Sequence, residues 1–183
     1  MSTNPYAPPL APVEHSPGAD TPPMFFAAPP WKVVLMCLCT LGLYQLYWFY
    51  ENWRLVRRRD RSGILPVPRA IFGFFYCYSM FKRIRDDGKS QALPRPPEAG
   101  MLATLWIVSS IAWRLPGAWG LVGVGSWFAL LPIQAYANRI NAKVAPGAKR
   151  NVRLTWLNWV AVVLGGAFFA LVVFALVSPA ADA

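Results

Sequence analysis

The sequence predicts an all-α fold, an integral membrane helical bundle of about four transmembrane helices plus one re-entrant or interfacial helix. Three observations predict it. Of the 183 residues, 56% are hydrophobic and 14% charged, where a soluble domain carries about a quarter charged. The last apolar stretch, 156–177, contains no charged residue. The basic residues that give the chain its net charge of +10 are segregated into connecting segments. Hydrocarbon as solvent accounts for all three, because it removes the need for a charged surface wherever lipid is the neighbour.

Taken in order, residues 1–30 hold nine of the eighteen prolines and no helix-forming run, and are expected to form a disordered tail. The membrane domain is expected over 31–178, followed by a short tail at 179–183. Residues 31–50 carry one charge, Lys32, and match a span in length. Thr40-Leu41-Gly42 sits at their centre, and glycine in a helix interior favours a break or kink. If the chain folds back at Gly42, three spans remain and the N-terminus moves to the side of the basic loops. Residues 70–81 would cover about 18 Å as a helix, which suits a re-entrant or interfacial segment. Residues 101–137 read as a helical hairpin interrupted at Arg114-Leu115-Pro116-Gly117, since Pro-Gly is a turn signal. Its first arm, 98–114, gives about 25 Å and spans if Arg114 snorkels. Residues 156–177 give about 33 Å, and Ser178-Pro179 ends the helix.

Charge sets the expected orientation. Three segments hold Arg54, Arg57, Arg58, Arg59, Arg61 and Arg69; Lys82, Arg83, Arg85, Lys89 and Arg95; and Arg139, Lys143, Lys149, Arg150 and Arg153. The positive-inside rule places all three in the cytoplasm.

The densest basic run supplies the first candidate site. Arg54, Arg57, Arg58 and Arg61 fall at i, i+3, i+4 and i+7, one helix face, with Arg59 between them. Such a juxtamembrane cluster fixes topology and, by related electrostatics, attracts anionic lipid headgroups. The second candidate is an amide cluster, Gln134, Asn138 and Asn141, with Asn158 at a similar depth. Amides in membranes bond across helices, so these are expected to hold the inner helix ends together; the alternative is the polar lining of a transport path. Tyr44, Tyr47 and Trp48 fit an interfacial aromatic belt, with Glu51 pairing a nearby arginine. Asp86-Asp87-Gly88 reads as a solvated turn. Cys37, Cys39 and Cys77 read as small lipid-compatible side chains. No HExxH, GxSxG or phosphate-loop pattern occurs, and the one histidine, His15, lies in the tail. No catalytic residue, metal or cofactor is therefore expected.

The string Thr40-Leu41-Gly42-Leu43-Tyr44-Gln45-Leu46-Tyr47-Trp48-Phe49-Tyr50, followed by Asn52-Trp53, resembles the signature of uncharacterised bacterial multi-pass inner-membrane proteins. Ile64-x-Pro66, Arg69-Ala70-Ile71-Phe72, Met80-Phe81-Lys82-Arg83-Ile84 and Gln134 through Asn138-Arg139-Ile140-Asn141 are similar to the same group. The resemblance covers most of residues 30–170 and implies a bacterial cytoplasmic membrane location, with no activity to carry across. The expected function is a non-enzymatic multi-pass membrane protein. Its partners would be the bilayer, anionic headgroups or an acidic protein, and a homo-oligomer or membrane partner, but not nucleic acid. The alternative is a small transporter or channel subunit.

Overall fold

The computed structural model describes residues 21–112, 114, 123 and 125–177. Residues 1–20 of the expected 1–30 tail, the expected tail at 179–183, and most of the expected Arg114-Leu115-Pro116-Gly117 turn lie outside them.

Among the described residues seven α-helices follow in order: α1 (Pro30–Cys39), α2 (Leu43–Asp60), α3 (Pro66–Ile71), α4 (Gly73–Ser90), α5 (Ala99–Ala112), α6 (Leu130–Val144) and α7 (Trp156–Val177). A 3₁₀ turn, Gly125–Ala129, leads into α6. No strand occurs among the described residues. Prolines open α1 and α3 at their first turns, where a missing N–H costs nothing.

Residues 31–50 do not form one helix. α1 ends at Cys39, and Leu41 (φ 50°) and Gly42 (φ 88°) both adopt the left-handed conformation. The Gly42 N–H donates to the Cys37 carbonyl at 2.8 Å, closing the turn. Glycine takes this conformation without the Cβ penalty. The chain then folds back, so that Phe26, just ahead of α1, donates its N–H to Asn52 of α2. The full crossing expected for 31–50 is replaced by a hairpin with both ends at one end of the molecule.

α2 and α4 run side by side in the same direction, with Trp53 against Tyr76 and Arg59 against Asp87. The short α3 supplies the return stroke between them. Phe72 (φ −87°, ψ 34°) interrupts the helix between α3 and α4, so the expected single segment 70–81 is split there. Asp86 and Asp87 belong to α4 rather than to a turn. α5 packs against α4 and the 3₁₀ turn, and α6 against α4.

The core gathers Trp48, Phe49, Trp53 and Val56 from α2, Met80, Phe81 and Ile84 from α4, Trp106 from α5, and Leu130, Ile133 and Ile140 from α6. Phe49 stacks on Phe81 (6.2 Å between centroids) and meets Trp106 edge-on at 5.3 Å. Trp48, expected in an interfacial belt, has no exposed surface, whereas Tyr47 is 42% exposed. Phe25, Phe26, Ala27 and Ala28, expected in the disordered tail, are buried in the core. The ordered chain thus begins before residue 30.

α7 packs on α1 and on no other helix to a comparable extent. A Cβ at Gly165 would collide with the backbone of Cys39, so glycine sets this close approach. Its other faces expose Leu157, Val160, Val163, Leu164 and Leu171. Among the described residues no helix is long and apolar enough to cross a membrane. α7 runs for 22 residues as backbone, its side chains being described through Leu171 and at Phe174.

Candidate functional site

The three basic segments converge. Arg59 pairs with Asp87 at 2.7 Å and Arg83 with Asp60, joining the ends of α2 and α4. Lys143 of α6 donates to the Gln91 carbonyl beyond α4. The Asn151 N–H donates to the Ala27 carbonyl at 2.7 Å. Lys32, which is fully buried, donates its Nζ to Asn151 Oδ1 (2.8 Å) and to the Arg153 carbonyl (2.7 Å). Arg114 lies at the opposite end, around a cavity with Gly42, Gln45 and Ser126.

At the basic end, Arg54, Arg57, Arg58 and Arg61 line one open groove of about 610 Å³, with Tyr50, Ser62, Pro66 and Val67. The i, i+3, i+4, i+7 face is therefore present as expected. Arg59 is not on it. At about 100° per residue, Arg59 points to the opposite side of α2, where it pairs with Asp60 and Asp87. Arg54 bonds Glu51 at 2.6 Å, the pairing expected for that carboxylate. Arg57, Arg58 and Arg61 are exposed and have no ion-pair partner among the described residues. Arg61 ends α2 in the left-handed conformation (φ 46°), and α3 follows as the groove's apolar wall.

The amide cluster grips the chain's own N-terminal segment. Asn141 accepts from the Phe25 N–H (3.1 Å) and donates to the Phe25 carbonyl (2.8 Å), as a paired strand would. Gln134 Nε2 donates to the carbonyls of Phe26 (2.9 Å) and Ala28 (3.0 Å), and Asn138 Nδ2 also donates to Ala28 (2.9 Å). Trp48 Nε1 donates to Gln134 Oε1 at 2.5 Å. Extended backbone buried away from any sheet needs such partners, and four amides supply them. Asn158 is not among these. It is half-buried on α7 and shares no hydrogen bond with the other three among the described residues, because α7 packs on α1 rather than α6.

Neither a protein-family model nor a curated protein nor a solved structure matches the chain. Function must be read from the geometry itself.

The sequence reading missed Asn52, which fixes the Phe26 N–H, and Gln45. Gln45 Oε1 accepts from Trp106 Nε1 at 2.6 Å, and its Nε2 donates to Ser126 Oγ at 3.0 Å, joining α2, α5 and the 3₁₀ turn. The signal was present: Gln45, Trp48 and Asn52 fall on the α2 face opposite the groove arginines. Among the described residues no three His, Cys, Asp or Glu side chains converge as metal ligands would.

Proposed function

We propose that this chain is a non-enzymatic, membrane-embedded protein of the bacterial cytoplasmic membrane whose basic face engages anionic lipid headgroups. The observation that carries the reading is the arginine groove. Three exposed guanidiniums, without carboxylate partners among the described residues, share one cleft whose far wall, Pro66 and Val67, is apolar. A soluble protein would neutralise or hydrate such a row, whereas a bilayer surface offers phosphates beside hydrocarbon.

Support for lipid as solvent comes from exposed apolar side chains. Phe75 (74%), Leu171 (67%), Leu164 (66%) and Ile71 (63%) are all more than half exposed, an unusual surface for water. With its last side chains read from sequence, α7 is uncharged over 22 residues, about 33 Å of helix. In the topology we propose, α1–α2 is a re-entrant hairpin, α5 and α6 pair as a second, and α7 crosses. The basic end is cytoplasmic by the positive-inside rule. A transport path through the amides is the weaker reading, since Gln134, Asn138 and Asn141 direct their hydrogen bonds to backbone rather than to an open channel.

The test replaces Arg54, Arg57, Arg58, Arg59 and Arg61 with Gln in detergent-solubilised protein and measures capture of phosphatidylglycerol against phosphatidylcholine from mixed micelles. At about 1 kcal/mol per basic residue near a surface, losing the three unpaired arginines weakens anionic-lipid capture by about 3 kcal/mol, roughly a hundredfold. Unchanged capture would remove the proposal.

A further inference from the structure

Two polar atoms of groove-lining residues, Ser62 Oγ and Arg54 Nε, are buried without a partner among the described residues. Both residues line the cleft beside Arg57, Arg58 and Arg61. Buried polar atoms in folded proteins are almost always satisfied, and of the seven side-chain atoms left unpartnered among the described residues these two belong to groove-lining residues. The guanidinium N–H groups of Arg54, Arg57, Arg58 and Arg61 and the Ser62 hydroxyl can all donate, and their residues line one groove. A group with several anionic oxygens fits that donor set, and phosphate is the group arginine forks match best. Glu51 neutralises Arg54 through Nη2, so among the described residues the groove keeps the three unpaired charges of Arg57, Arg58 and Arg61.

The second observation is the wall. Val67, which lines the groove, is 54% exposed; Ile71, Phe72 and Phe75 continue from it at 63%, 55% and 74%. α3 carries this row away from the basic end, for Gly73 lies against Phe49, well up α2 from Arg54. Donors at one end and an exposed apolar track leading out of the same cleft describe an amphiphile.

Resting on the lipid reading above, we infer that this groove is a discrete binding site for one anionic glycerophospholipid. Its phosphate is held by Arg54, Arg57, Arg58, Arg61 and Ser62, and its acyl chain lies along Val67, Ile71, Phe72 and Phe75. This differs from a diffuse basic surface, which needs neither the serine nor the apolar track.

Native mass spectrometry of the full chain in detergent, titrated with phosphatidylglycerol, tests it. The wild type is expected to retain one lipid per chain. Ser62→Ala lowers the apparent affinity at least fivefold, and Ser62→Thr, which keeps the hydroxyl, restores it. Val67→Asn, which changes no charge, lowers it by a similar factor through the acyl track, which keeps the test independent of Ser62. Glycerol 3-phosphate, which has the phosphate without the chains, fails to displace the lipid at a hundredfold excess. If Ser62→Ala and Val67→Asn bind as wild type while the quintuple arginine variant does not, the discrete site is wrong and the basic-face reading stands. If the quintuple variant also binds as wild type, both fall. If glycerol 3-phosphate displaces the lipid readily, the site is one for a soluble phosphate ester and the acyl track is wrong.

Discussion

Two polar clusters with the same helical spacing meet opposite fates in this molecule. Gln134, Asn138 and Asn141 on α6, and Arg54, Arg57, Arg58 and Arg61 on α2, each occupy one face at i, i+4, i+7 or its near equivalent. The amides are filled by the backbone of residues 25–28. The arginines line an open groove, and Ser62 Oγ and Arg54 Nε of its lining have no partner among the described residues. What separates a structural polar cluster from a binding one is therefore not the pattern but whether the chain's own backbone reaches it. A buried network with every member satisfied rigidifies a fold, and one left open is available to a ligand.

Substitutions at each cluster should separate these roles. The largest effect is expected from Gln134→Leu, which strands the Phe26 carbonyl and Trp48 Nε1 inside the core. At about 1–3 kcal/mol for each group left unsatisfied, the loss is about 3 kcal/mol or more. It would appear as a lowered thermal midpoint in detergent and as new protease cleavage within 21–30. An unchanged midpoint would mean that the segment is not held by the amides. Gly165→Leu comes next, forcing α7 off Cys39 at a cost of about 1–3 kcal/mol from overpacking. Labelling of Cys39 by a membrane-permeant maleimide, in a background where Cys37 and Cys77 are Ser, should rise several-fold. No rise would break the α1–α7 contact.

Arg59→Gln is a sharper control. Arg59 holds Asp60 and Asp87 rather than the groove, so it should cost about 1 kcal/mol or less as a surface pair and leave phosphatidylglycerol capture near the wild-type level. A loss as large as that from Arg58→Gln would show that charge count, not placement, governs binding. The smallest effect belongs to Asn158→Ala, expected within about 0.5 kcal/mol in the same thermal assay, because α7 carries Asn158 away from α6.

Much of this was legible from the residues, and the remainder has physical reasons. The helical character, the break at Gly42 and the arginine face follow from local periodicity and from one residue's backbone freedom. The direction of the chain after Gly42 does not, because a kinked span and a hairpin share the same apolar run until the fold-back is fixed by Asn52 and Phe26. The burial of 25–28 was hidden by the flanking prolines, which suggest an extended chain but do not say whether side-chain amides wait to bond it. Trp48 looked like a belt residue because an aromatic run says nothing of which ring faces a neighbouring Gln134. Arg59 was separable from its neighbours by helical angle alone, had the opposite α2 face been recognised as polar-lined core.

The account turns on placement of charge, and one pair of variants addresses that directly. Arg57, Arg58 and Arg61, which share the groove, are replaced together with Gln. In a second protein Lys82, Arg85 and Lys89 of α4, which do not line it, are replaced in the same way. Both lose three positive charges from the same end of the molecule. The groove variant should lose phosphatidylglycerol capture by about two orders of magnitude, while the α4 variant should keep most of it. Equal losses in the two proteins would contradict the account.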